Sequence, residues 1–214
     1  MPATTVWSAS RTLSSLQTSL AFRRQGFFQY CLTELDVTIR FFFDTETTDL
    51  VSNTLLPINQ QPRIIEFYGC LLDDEYKLIE EVESFVDPGI DISPEITRIT
   101  GITPSHIVGA PKFQVIAETV KSLIGRADEV VAHNLSYDLF VLETEMKRIN
   151  RTVIWPKLKT CTVESTEWIK GYRLSLSAMH EEFFKEPFSG AHRARVDVEA
   201  MIRCFKHARQ ECLI

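Results

Sequence analysis

The sequence predicts one α/β domain over residues 35–211, and three observations carry that prediction. The apolar run Val37-Thr38-Ile39-Arg40-Phe41-Phe42-Phe43 is too continuous for a strand with one wet face, and suits a central strand buried on both sides. Strand-like and helix-like segments then alternate to the end of the domain. No repeat, long linker or low-complexity tract interrupts them.

Each element has its own signal. Arg63–Leu72 and Leu78–Val86 read as the second and third strands, joined by the polar turn Asp73-Asp74-Glu75 into an antiparallel hairpin, so the first three strands form a meander. Pro88-Gly89 breaks the chain, Pro94 leads a short helix, and Thr100-Gly101 makes a turn. Phe113, Ile116, Val120 and Leu123 share one face of an amphipathic helix near Lys112–Ile124, which Gly125 ends. Val130-Val131-Ala132 is a short buried strand feeding a helix capped by Ser136, with Leu139, Leu142, Met146 and Ile149 spaced by three and four. A short strand is expected near Thr152–Trp155, and helices near Thr162–Trp168, Leu174–Phe184 and Ala194–Gln210.

Composition narrows the function. With 214 residues, 44% of them apolar, the chain can bury a sizeable core. No run approaches the ~20 consecutive apolar residues of a membrane-spanning helix, which excludes a membrane protein. The five cysteines are widely spaced, without a CxxC pair or zinc-finger histidines, and read as reduced thiols. Residues 1–33 contain no Asp or Glu, and their only charges are Arg11, Arg23 and Arg24. Since the whole chain carries -6, the rest carries -9, and any nucleic-acid binding must be local. The segment 1–34 is an N-terminal extension with three readings: a targeting segment of mitochondrial transit type, a disordered or packing arm, or an over-extended start with the product beginning near Leu32. The expected location is cytoplasmic, or mitochondrial if the transit reading holds.

The acids are the chemical signal. Asp44 and Glu46 sit at the end of the most buried strand and, two positions apart, project from one face. Asp138 falls in the first turn of its helix, where a carboxylate also complements the helix dipole. Asp197 shares with Met201, Cys204 and Ala208 a helix face that is otherwise apolar, so it needs a partner. His192, five residues earlier, belongs to the Ser189-Gly190-Ala191 loop. Converging carboxylates suit a pair of hard divalent cations, which can activate a water and stabilise the leaving oxygen of a phosphodiester. An unperturbed pKa near 6.5 makes the histidine a credible general base for that water.

These residues resemble the DEDD superfamily of 3′–5′ exonucleases, histidine subgroup (DEDDh, DnaQ-like), which includes polymerase proofreading subunits, the TREX enzymes, ribonuclease T and oligoribonuclease. The resemblance covers about residues 37–208 and rests on Phe43-Asp44-Thr45-Glu46-Thr47-Thr48, on His133-Asn134-Leu135-Ser136-Tyr137-Asp138, and on His192-x4-Asp197, in the family's order. Val86-Asp87-Pro88-Gly89 and Ile99-Thr100-Gly101-Ile102-Thr103 look like the family's connecting segment. One departure is Asp49, where the first motif commonly continues with Gly; Asp tolerates the same left-handed backbone and adds charge beside the substrate path.

The resemblance implies a ribonuclease H-like fold, a mixed five-stranded sheet flanked by helices. It implies two Mg²⁺ or Mn²⁺ ions, with Asp44, Glu46 and Asp197 on the water-activating metal, Asp44 also on the second, and Asp138 completing that second site. His192 would deprotonate the water. Thr47, Ile99, Thr100, His133, Asn134 and Tyr137 match substrate-binding positions, with core packing as the competing role of Ile99 and Tyr137. The expected activity is release of nucleoside 5′-monophosphates from single-stranded or frayed DNA 3′ ends. The alternatives are an exoribonuclease of ribonuclease T or oligoribonuclease type and, further off, a noncatalytic binding module. A polymerase acting in trans is an expected partner class, and the chain is expected to be a monomer or homodimer.

Overall fold

The central strand owes its place to three consecutive phenylalanines. In the computed structural model, which describes residues 37–186 and 188–214, Phe41, Phe42 and Phe43 are completely buried on strand β1 (Arg40–Thr47). Each such burial contributes roughly 1.5–3 kcal/mol relative to an exposed ring. Beside β1 lie β2 (Ile64–Leu72) and β4 (Glu129–Ala132), and outside them β3 (Leu78–Phe85) and β5 (Leu158–Cys161), giving the order β3-β2-β1-β4-β5. β1–β2 and β2–β3 pair antiparallel as the expected meander, while β1–β4 and β4–β5 pair parallel. The extension, residues 1–34, and its three readings lie outside the described residues.

Side-chain alternation on β1 divides the core. Phe41 and Phe43 face the helices α3 (Phe113–Arg126) and α4 (Leu135–Arg148), meeting Ile116, Val120, Leu123, Leu142 and Met146. Phe42 faces the other way, against α6 (Leu176–Phe184) and α7 (Ala194–Gln210), and its ring meets Phe205 edge-on at 5.3 Å. Three short helices complete the domain: α1 (Pro94–Thr100), α2 (Pro104–Ile107) and α5 (Thr162–Lys170). No described helix is long and apolar enough to cross a membrane, and Cys70, Cys161, Cys204 and Cys212 are free thiols.

Four of the differences from expectation have a local reason. β1 begins at Arg40 rather than Val37, because the Ile39 N–H donates to the Asp128 carboxylate at 2.8 Å. α3 continues through Gly125 to Arg126, since that glycine keeps a right-handed backbone. Asn134, in a left-handed conformation with φ of 68°, is the N-cap of α4, and Ser136 lies inside the helix. The strand expected near Thr152–Trp155 is irregular chain, and β5 forms later, at Leu158. Pro156 has no N–H to give a ladder, and Val153 and Trp155 pack into the core instead, Trp155 against Phe43 with centroids 5.9 Å apart.

Candidate active site

Three elements far apart in sequence bring the acids together at one end of β1. Asp44 and Glu46 come from the strand, Asp138 from the first turn of α4, and Asp197 from the first turn of α7. All four line one cleft of about 480 Å³ with His192. Donor atoms of Glu46, His192 and Asp197 lie within 4.8 Å of one another, so the imidazole occupies a position in this group beside the two acids. Asp44 and Asp138 form the adjoining wall of the cleft.

Burial and mutual repulsion leave these carboxyls unusually hard to ionise. Burial, then the neighbouring Asp138, Glu46 and Asp197, hold Asp44 well above the ordinary carboxylate range. Glu46 is pushed up to about 8 by burial, with Asp197 and Glu66 adding to the shift and Arg193 opposing it. Asp138 rises to about 7, burial outweighing its hydrogen bonds with Thr45, whose Oγ1 donates to Oδ1 at 2.7 Å. Burial raises Asp197 to about 6, although its Oδ2 accepts the His192 N–H at 2.8 Å. A set of acids that resists ionisation alone and offers only hard oxygen donors fits divalent cations such as Mg²⁺ or Mn²⁺.

The six residues expected at the substrate all line the cleft, but not as equals. Ile99 is 40% exposed and free to meet a base. Thr100 is buried, and its hydroxyl is committed within the protein, donating to the Ile96 carbonyl and accepting from the Ile102 N–H. The Thr47 hydroxyl donates to the Asp49 carbonyl at 2.7 Å and accepts the Tyr137 hydroxyl at 2.6 Å, so Tyr137 braces the loop after β1 while its ring packs on the core. The His133 ring bonds the Thr162 hydroxyl through Nδ1, and burial lowers its pKa to about 4, which keeps it neutral. Asn134 is exposed at the cleft edge.

Asp49 departs from expectation in a different way. It is not among the residues with positive φ, so the loop does not need glycine there, and its side chain instead accepts the Leu50 N–H at 2.7 Å. Leu50 and Leu176 are among the cleft residues that escaped the sequence reading. Leu50 is 74% exposed, an apolar side chain whose signal was its place directly behind the first motif. Leu176, at the start of α6, carries no signal in sequence because only the packing of that helix brings it to the cleft.

The sheet order and the ring of acids together define a nuclease domain of ribonuclease H-like fold. The family model for exonucleases, RNase_T, matches residues 41–205, and the chain belongs to that family as a DEDDh, DnaQ-like exonuclease domain. It is 33% identical over 165 residues to the PolC-type DNA polymerase III of Caldanaerobacter subterraneus subsp. tengcongensis, a match covering 76% of this chain and 11% of that one. For the PolC-type polymerase of Clostridium perfringens the identity is 26%, covering 77% of this chain and 11% of the other. The chain thus spans about a tenth of the length of these curated relatives.

Solved structures agree on the fold. One of a 3′-exonuclease recognising the 3′ end of a histone mRNA stem-loop has a TM-score of 0.66 at 16% identity, covering 94% of this chain and 75% of that one. The zinc-bound complex of E. coli ExoI with single-stranded DNA has a TM-score of 0.65 at 21% identity, covering 81% and 41%. The nuclease domain of 3′hExo, a DEDDh family member bound to rAMP, has a TM-score of 0.63 at 16% identity, covering 84% and 95%.

Proposed function

We propose that this domain removes nucleoside 5′-monophosphates from single-stranded or frayed DNA 3′ ends. The observation that carries the reading is the convergence of Asp44, Glu46, Asp138 and Asp197 with His192 in one cleft. The acidic body supports a site that grips only a few terminal nucleotides. DNA is favoured by the relatives at up to 33% identity, which are DNA polymerases, and a separate polymerase is the partner class they suggest. The exoribonuclease reading uses the same acids and would differ in how the site treats the 2′-OH.

Asp44, Glu46, Asp138 and Asp197 would hold two Mg²⁺ or Mn²⁺ ions, which when bound lower the pKa of a water and offset charge on the leaving oxygen. The imidazole of His192, with a ring nitrogen within 4.8 Å of carboxylate oxygens of Glu46 and Asp197, would take the proton from the attacking water. Thr45 fixes the Asp138 carboxylate through its hydroxyl. Ile99 and Leu50 offer apolar faces for the terminal bases, a contact worth roughly 1–3 kcal/mol for each stacked base where the partner is aromatic and less here. The neutral His133 and the exposed Asn134 also line the cleft.

A time course on matched 5′-labelled single-stranded DNA and RNA, with Mg²⁺, Mn²⁺ or EDTA and beside His192→Ala, tests the reading. We expect a metal-dependent ladder shortening from the 3′ end, faster on DNA and lost in the variant. A faster RNA ladder would transfer the assignment to the exoribonuclease, and no cleavage of either substrate would overturn it.

A further inference from the structure

Glu66 is a buried acid that the reaction above does not use. It lies on β2 directly across from Glu46 in the β1–β2 register and is 2% exposed. Its two oxygens accept the Arg193 Nε at 3.1 Å each, and Oε1 also accepts Nη2 at 2.8 Å. Oε2 further accepts the Ala194 backbone N–H at 3.1 Å. Arg193, the N-cap of α7, makes no side-chain cap of its own. A carboxylate from the neighbouring strand therefore satisfies an amide that the start of α7 leaves open.

The residue before Arg193 is His192, whose φ of 68° lies in the left-handed region that a β-carbon disfavours. Such a backbone persists only where its surroundings hold it. Here the hold comes from two sides. Asp197 accepts the His192 N–H at 2.8 Å in front, and Glu66 grips Arg193 and Ala194 behind. A buried ion pair is weak evidence for stability, since apolar residues of similar volume often do as well. An acid placed beside Glu46, where it adds to the repulsion, points to geometry as the reason for its presence.

We propose that Glu66 is a positioning residue for His192, acting through Arg193 and the first turn of α7. The proposal rests on the exonuclease reading for what His192 does, though the hold on the loop is independent of it. The test compares wild type, Glu66→Gln, Arg193→Lys, Arg193→Ala and the Glu66→Gln/Arg193→Ala double variant. Two readouts are taken: kcat and KM on 5′-labelled single-stranded DNA with Mg²⁺, and amide hydrogen exchange over residues 188–197 of the metal-free protein.

Glu66→Gln should lower kcat roughly 10- to 100-fold, the effect of displacing a catalytic group by about 1 Å. KM should stay within about twofold, because the loss falls on the transition state. Arg193→Lys should share the kcat loss, since an ammonium cannot reproduce the two-pronged contact. The double variant should be no slower than the slower single variant. The His192 amide should exchange about tenfold faster in each variant.

An unchanged kcat, a loss confined to KM, additive losses, or an undisturbed His192 amide would each overturn the proposal. If Glu66→Gln fails to fold, Arg193→Lys carries the same readouts, altering a side chain that is 40% exposed. An inactive wild type would count against the exonuclease reading, and hydrogen exchange would then decide the positioning proposal alone.

Discussion

Four carboxylates facing one cleft place metal-free stability and catalysis in opposition. A carboxyl whose pKa is higher in the folded than in the unfolded chain contributes stability that is complete below its ordinary value and lost as pH rises through its folded value. For Glu46 that window runs from 4.5 to about 8, for Asp138 from 3.8 to about 7, and for Asp197 from 3.8 to about 6. In EDTA the melting temperature should therefore fall between pH 5 and pH 8, and Mg²⁺ should restore it at the upper end by binding only the folded state. Glu46→Gln or Asp44→Asn should flatten this fall and raise the metal-free melting temperature at pH 8, while abolishing cleavage. Thermal melts at the two pH values check this, and a variant melting below wild type at pH 8 would contradict it. The proposed catalytic set was legible in sequence because alternation on β1 and the helical face of Asp197 each expose an acid where an apolar residue belongs. Glu66 was not legible: within a strand it resembles any solvated acid, and its partner lies 127 positions away.

At the scale of elements, close packing around β1 sets the tolerances. Gly69 on β2 pairs with Phe43, and an added β-carbon there would sit 2.6 Å from Cζ of the buried Phe41 ring. Gly69→Ala should destabilise the fold by roughly 1–3 kcal/mol, the usual cost of overpacking a core. Urea unfolding measures it, and a stability equal to wild type would show that the ring has room to move. Strands β1 and β2 and the helix at Ala194–Gln210 followed from periodicity, because burial is nearly continuous on the two strands and concentrated on one face of the helix. β5 did not, since its polar Leu-Lys-Thr-Cys sequence pairs at a sheet edge while the more apolar Val153–Trp155 segment fills the core.

Across the described residues, an acidic body with a cleft lined by four acids leaves few cations to follow a nucleic-acid backbone. If about two phosphates are gripped, KM for single-stranded DNA should rise only about sevenfold between about 50 and 200 mM salt, from a slope of ~0.7 per phosphate. A rise of a hundredfold or more would reveal a basic track that the charge distribution does not suggest. The order in which the cleft receives its parts has a further meaning during translation. Asp44 and Glu46 are made early, Asp138 follows, and Asp197 arrives with the last described helix. Domains emerge from the ribosome N-terminus first, so a chain still in synthesis holds Asp44, Glu46 and then Asp138 before it holds the proposed general base His192 and Asp197. The proposed site is therefore complete only once α7 has been translated and has docked.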